Sequence, residues 1–428
     1  MSVTTAGRSG TARRARTDRT RAAIIAAAHD AFVDRGYRVT SLRDVASAAG
    51  ISHPGLLRHF ATKGELLAAV VASLESENAQ YLLGRAAADE PGPLAYGEMA
   101  RRNRSVPGYL ELFAALTGEA STPLHPAHAI MRDRYSRLIS LSADILQEAI
   151  ADGLVAPDRV ARHEAIRLAA AWDGLQLLTQ YLPERVDVGA ALDAHEELLG
   201  LPVGWRDPAD RRRIGPPASF VPIPDLGTVA VQAGVGYRVG RDRRTRIVAD
   251  AMALFARDGY GDTSLQSIAE AVGVSKSALL HHYPSKEALL SAVLAERDRG
   301  IRMLESAPLP ERAADVLRGI PQEAAHSAEL SPGLIEVYAV LSCEAVPAGH
   351  PAHSYFTARF SAALDHLTAL LRAAQADGDL PAHRDPAREA LWLVALWDGL
   401  QYQWLYDPER VDVAAHLAAH LEDLLPRR

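Results

Sequence analysis

Apolar residues recur every three to four positions along most of the chain, the spacing of helices that bury one face. Ile24, Ala28 and Phe32, with Ile25 beside them, predict a helix from about Arg19 to Asp34 that Gly36 ends. Leu42, Val45, Ala46 and Ala49 mark a second helix starting near Thr40 or Ser41. A turn, AAGIS, leads to a third, on which Leu56 and Phe60 lie four apart and face inward together. Near the C-terminus, Leu391, Ala395, Leu396, Leu400 and Gln403 form a broad stripe over 387–406, and Val413, Leu417, Ala418 and Leu421 form another over 411–425. The stretch 201–240 has no sustained period and is rich in Pro and Gly, which predicts a linker. Within it VPIP reads as extended and TVAVQA as a brief strand.

The same pattern is written twice. At an offset of 223, Phe32, Gly36 and Tyr37 fall on Phe255, Gly259 and Tyr260, and Thr40-Ser41-Leu42 falls on Thr263-Ser264-Leu265. The register continues through Gly50/Gly273, Ser52/Ser275, His59/His282 and Lys63/Lys286. At an offset of 225, HPAH (125–128), WDGLQ (172–176) and ERVDV (184–188) reappear at 350–353, 397–401 and 409–413. The chain is therefore a tandem duplication of an all-α unit. Its expected divisions are a head over 15–70, a helical body over 71–200, the linker 201–240, a second head over 241–292 and a second body over 293–428. Forty linker residues reach about 130 Å when extended, so length does not keep the copies apart.

Composition agrees: 428 residues, 48% of them hydrophobic, suffice for more than one core. The net charge of -7 excludes a protein that is basic throughout, yet residues 1–70 hold eleven Arg or Lys against five Asp or Glu. A nucleic-acid footprint needs only one such face. Residues 236–292 are less biased, with eight basic against six acidic. A single cysteine, Cys343, offers neither an intramolecular disulfide nor a metal cluster, which points to a reducing cytoplasm. The N-terminus lacks the apolar region of a secretory signal, and no apolar run is long enough to span a bilayer, so no membrane partner is expected.

Two short helices joined by a Gly-containing turn form a helix-turn-helix, whose last helix enters the major groove. Ser52 and Ser275 are placed to cap that helix, and Pro54 fits its first turn. A capping box is expected from Thr263 and Gln266 in the second copy, and Arg43 removes its counterpart in the first. Arginine clusters precede both heads as arms for phosphates or a minor groove: Arg13, Arg14, Arg16, Arg19 and Arg21 in one, Arg238, Arg241, Arg243, Arg244 and Arg246 in the other.

The string F-x-x-x-G-Y-x-x-T-S-L-x-x-(I/V)-A, then G-(V/I)-S, then L-L-x-H-(F/Y)-x-(S/T)-K-x-x-L-L resembles the DNA-binding head of the TetR family, over about fifty residues of each copy. The resemblance implies a helical ligand-sensing body, action as a two-fold dimer and, usually, repression. It also implies that Lys63 and Lys286 lie near the DNA backbone. Family members often carry Tyr where this chain has Leu57 and Leu280, so a phosphate contact there passes to Arg58 or His281, one position on. The remaining DNA-facing candidates are Thr40, Arg43, Ser52, His53, Gly55 and His59 in the first copy. In the second they are Thr263, Gln266, Ser275, Lys276, Ser277 and His282. Because the base-reading sets differ, an imperfect palindrome is the expected operator.

In the family the two C-terminal helices pack across a dimer axis. Here one chain supplies all four, which implies a monomeric pseudo-dimer, with dimerisation of fused chains the alternative. The resemblance also implies an effector cavity, for which Tyr109, Phe113, Met131, Tyr338, Tyr355 and Phe356 are the candidate walls. The histidines of HPAH are spaced as zinc ligands would be, but no third ligand is evident, and Pro126 and Pro351 read as first residues of helices. Trp172 and Trp397 read as packing, with Gly174 and Gly399 permitting close approach. No phosphate-binding loop, nucleophile elbow or zincin motif is present, so neither an enzyme nor a cofactor is expected. Two rivals remain: a regulator with only one competent head, and a helical sensor that binds small molecules or proteins without DNA.

Overall fold

Residues 6–37, 39–87, 94–123, 125–211, 216–220, 238–304, 310–330 and 332–427 are described by a computed structural model, and every regular element among them is a helix. The first copy contributes α1 (Ala6–Arg35), α2 (Leu42–Ala48), α3 (His53–Leu57), α4 (Lys63–Ala87), α5 (Tyr96–Ser105), α6 (Tyr109–Glu119), α7 (His128–Ala151), α8 (Ala161–Tyr181) and α9 (Val188–Leu199). The second repeats the order as α10 (Arg238–Asp262), α11 (Leu265–Val272), α12 (Lys276–His282), α13 (Lys286–Leu304), α14 (Ala313–Leu330), α15 (Pro332–Glu344), α16 (His353–Ala376), α17 (Pro386–Tyr406) and α18 (Val413–Leu424). None of these helices is long and apolar enough to cross a membrane.

The chain divides into two compact units that do not follow the repeat. One holds residues 1–92 and 102–116; the other holds 93–101 and 117–428, so most of the first body belongs with the whole second copy. Within the larger unit, α8 and α17 form the central crossing. A Cβ placed on Gly174 would lie 2.0 Å from the Ala395 carbonyl oxygen, and one on Gly399 1.8 Å from that of Ala170. Backbone meets backbone there, which only glycine allows. The close approach expected at WDGLQ is present in both directions.

Other contacts obey the same approximate two-fold relation. The Tyr181 hydroxyl donates to the Ser342 carbonyl, and the Tyr406 hydroxyl donates to that of Thr117 at 2.9 Å. His353 stacks on Tyr181 and His128 on Tyr406, each with centroids 5.2 Å apart. This corrects the reading of HPAH. The helices begin at His128 and His353, two residues after the prolines, while His125 and His350 accept the backbone N–H of Ala127 and Ala352 within the preceding turn. Among the described residues no group of three metal-ligating side chains comes together.

One feature breaks the symmetry. Arg159 and Arg384 occupy equivalent places, pair with Glu164 and Glu389 at 3.1 Å, and both reach Asp423, at 3.3 and 3.1 Å. The first copy has Leu198 at the position of Asp423. Two guanidiniums from the two copies thus share one carboxylate, and all five side chains are buried. The linker joins the same region. Gly204 N–H donates to Asp423 at 2.8 Å, Arg206 donates to the carbonyls of Gly378 and Asp379, and Trp205 meets the His383 ring edge-on at 4.8 Å. Further on, Ala218 N–H donates to Asp377 at 2.8 Å. The linker is therefore strapped to the α16–α17 loop, and through Gly204 to α18, within residues 201–211 and 216–220. VPIP and TVAVQA lie outside the described residues.

Beside this cluster, burial pushes the His420 imidazole down to about 3 and His416 down to about 4. Folded, these rings stay neutral; unfolded, they take up protons near the ordinary value. Their contribution to stability is thus complete above pH 6.5 or so and is lost as the pH falls towards the depressed values. We expect His420 alone to account for about 2 kcal/mol of stability lost between pH 6.5 and 5. Urea melts of the wild-type chain and of His420→Gln would show it as a shallower pH slope in the variant; equal slopes would refute it.

Candidate nucleic-acid interface

In each head three helices close around a small core. Ile24, Ala28, Phe32, Val45, Leu56 and Phe60 form it in the first, and Ile247, Ala251, Phe255, Ile268, Leu279 and Tyr283 in the second, all buried. Gly50 (φ +67°) and Gly273 (φ +74°) supply the left-handed turn that aims α3 and α12 outward. Ser52 then accepts the N–H of Gly55, and Ser275 that of Ala278, each at 3.2 Å. Both serines cap as expected.

The caps of α2 and α11 differ from the expected ones. Ser41 with Asp44 and Ser264 with Ser267 form the capping boxes, one residue later than the Thr263–Gln266 register and present in both copies. Thr40 and Thr263 turn inward instead. Thr40 donates to the Ala31 and Gly36 carbonyls at 2.9 Å, Thr263 donates to Gly259 at 2.7 Å, and both are buried. Their hydroxyls satisfy carbonyls at the C-terminal end of the first helix, which has no further helical turn to donate to them.

The outward face retains most of the other candidates. Arg43, Arg58, Gln266, Lys276, Ser277 and His281 are exposed, while His53, Gly55, His59 and His282 are partly so. Gln266 donates to Glu270 at 2.8 Å along its own helix. Burial lowers the His282 imidazole, followed by its neighbour His281. The lysines have places inside the head, with the ammonium of Lys63 4.3 Å from the Tyr37 ring centroid and that of Lys286 4.2 Å from Tyr260. Lys286 also donates to the Gly261 carbonyl at 3.2 Å. Each therefore braces the head.

The arginine arms are helical. Helix α1 begins at Ala6 and α10 at Arg238, so the clusters ride on the first helix of each head. Arg14, Arg16, Arg19 and Arg243 are exposed; the side chains of Arg13 and Arg241 lie outside the described residues. Arg244 folds back with its guanidinium 5.5 Å from the Tyr283 ring and donates to the His282 carbonyl at 3.3 Å. Its equivalent Arg21, a member of the first cluster, does the same over Phe60 at 4.3 Å.

The candidate effector walls form core packing. Tyr109 packs on Phe113 with centroids 4.6 Å apart, Met131 is fully buried, Tyr338 donates to Asp398 at 3.3 Å, and Tyr355 meets Phe356 edge-on at 5.1 Å. A cavity of about 530 Å³ in the larger unit is lined by none of them.

Residues 24–70 and 247–293 each match the model of bacterial regulatory proteins of the tetR family, which takes in α2 and α3 of one head and α11 and α12 of the other. Each head thus carries the DNA-binding region of the TetR family. Residues 352–426 further match the C-terminal model of BetI-type transcriptional repressors. An HTH-type transcriptional repressor of Mycobacterium tuberculosis is 41% identical over 68 residues, 16% of this chain and 36% of that protein. The regulator RutR of Escherichia coli is 44% identical over 54 residues, 13% of this chain and 26% of RutR. The chain thus spans about a third or less of the length of these curated relatives. A TetR-family regulator structure from Agrobacterium tumefaciens is 22% identical, covers 44% of this chain and 99% of its own, and has a TM-score of 0.39.

Proposed function

We propose that the chain is a ligand-responsive transcriptional regulator, a repressor by analogy with its relatives, that reads double-stranded DNA with both heads. It works in the cytoplasm as a single-chain pseudo-dimer, with heads over 15–70 and 241–292 and sensing bodies over 71–200 and 293–428. The observation that carries this is the pair of outward helices α3 and α12, identically capped and turned, with Arg58 exposed on one and Lys276, Ser277 and His281 on the other. Arg and Lys pair with guanine edges, and Ser discriminates less, so the two half-sites differ. The shared α8–α17 crossing supports one chain per operator, and the half-sites lie about 34–36 Å apart, one turn of duplex.

Arg58→Ala should weaken binding by about 1–3 kcal/mol and relax specificity in one half-site, and Lys276→Ala should do so in the other. Mobility shifts on operators mutated one half at a time measure this, with affinity falling steeply as salt rises. Wild-type affinity for both variants on every operator would refute the reading. The weaker basic bias of residues 236–292 favours a second reading, in which the second head is silent and two chains cover an operator. In that case only Arg58→Ala has an effect. Selection of a perfect inverted repeat would refute the asymmetric operator.

A further inference from the structure

The cavity of about 530 Å³ lies in the larger unit, where the first helix of the second head passes the end of the bundle. This volume suits a drug-sized molecule. Its walls come from α10 (Ala249, Met252, Ala253), from the end of α17 (Trp404, Leu405) and from the turn holding Thr122 and Pro123. Thr122 donates to the Ala256 and Arg257 carbonyls at 3.2 and 3.4 Å, so a turn of the first copy closes on the head of the second.

Charge and repeat divergence narrow the occupant. Arg257 at the wall is neutralised by two bonds to Asp258, at 2.8 and 2.5 Å. Glu336 on α15 and Glu296 on α13 add two carboxylates, and burial pushes the Glu336 carboxyl up, as expected for an acid whose charge lacks compensation in a partly apolar setting. Part of the wall also lacks a counterpart in the sequence of the first copy. Met252, Ala253, Trp404 and Leu405 align with His29, Asp30, Thr179 and Gln180, whereas Glu336 aligns with Glu111. The repeat kept the carboxylate twice but built apolar walls around it once.

We propose that this cavity binds an amphipathic organic cation, one per chain, its apolar body between α10 and Trp404 and its positive group at Glu336. A ligand seated there touches the helix that carries the second head. Its binding therefore biases the pose of that head, and the effector response enters through one side of the pseudo-dimer. This consequence rests on the regulatory reading; the binding itself does not.

Tetraphenylphosphonium and tetraphenylborate share shape and apolar surface and differ in sign, so calorimetric titration of the full chain with each, without DNA, isolates the charge. The phosphonium should bind saturably at one site per chain and the borate at least about tenfold more weakly. Glu336→Gln should weaken the phosphonium about tenfold, and Ala253→Trp should abolish its binding by filling the space. Should Ala253→Trp fail to fold, Trp404→Ala replaces it, with an expected loss of at least about fivefold. Equal binding of the two ions, two sites per chain, no saturable binding, or indifference to Glu336→Gln would overturn the proposal. Mobility shifts without the probe test the regulator separately. Binding of the phosphonium by a chain that shifts no DNA would leave the site standing and remove the regulatory reading.

Discussion

Gly399→Ala should lower the stability of the chain by at least about 2–3 kcal/mol, a loss in the upper range for overpacking in a core. Elsewhere in a helix the same change is favourable by up to about 1 kcal/mol, because alanine restricts the unfolded chain more. What reverses the sign is the neighbour. The new methyl would stand 1.8 Å from the Ala170 carbonyl oxygen, and the obstacle is backbone, so no rotamer change relieves it. Helices α8 and α17 would have to part, exposing faces on which Ala171, Leu175, Leu396 and Leu400 are inaccessible to solvent. Gly319 in α14 is the control, since a Cβ there meets nothing within 4 Å. Gly319→Ala should leave the melt unchanged or raise it. Urea melts of the two variants decide the matter, and a Gly399→Ala chain as stable as wild type would refute the packing described here.

Asp423→Ala should cost about 3–5 kcal/mol, the loss typical when one partner of a buried ion pair is removed. Asp423 sits 3.3 Å from Arg159 and 3.1 Å from Arg384, and both guanidiniums are 2% exposed. Burial pushes the Asp423 carboxyl up, but Arg384, Arg159 and the Gly204 N–H more than offset this, so it stays ionised. Without it, Arg159 and Arg384 still each face a glutamate, Glu164 and Glu389, yet the charge that ties the two copies together is gone. The Gly204 contact of the linker goes with it. Asp423→Asn keeps the acceptor oxygen and should lose less. Thermal and urea melts with the three chains side by side test this, and equal stability of Asp423→Ala and wild type would refute it.

Much of this architecture is legible without coordinates. Serine before an apolar run, glycine after one, and apolar positions four apart are local signals, and they place α2, α3, α11 and α12 to within a residue or two. Internal repetition supplied the rest, since a motif such as WDGLQ found twice points to a pairing of like with like. Local reasoning went astray where two polar residues compete for one role. Thr40 and Ser41 both suit a cap, and only the carbonyls left at the end of α1 show that the threonine turns inward. The same holds for HPAH, which looks like a ligand pair or a helix start until Tyr181 and Tyr406 arrive from the opposite copies.

By itself the sequence determined the helical class, the duplication, the two heads with their turns and the serine caps of α3 and α12, and the outward residues that differ between them. All of these follow from steric and hydrogen-bonding preferences that act within about one helical turn. Only the tertiary structure decided that Asp423 serves both arginines, that the linker is strapped to the α16–α17 loop, and that the aromatic candidates are core while a cavity opens beside α10. These depend on which helix faces cross at which residue. Such crossings join positions as much as 289 residues apart, and helical periodicity carries no information over that range.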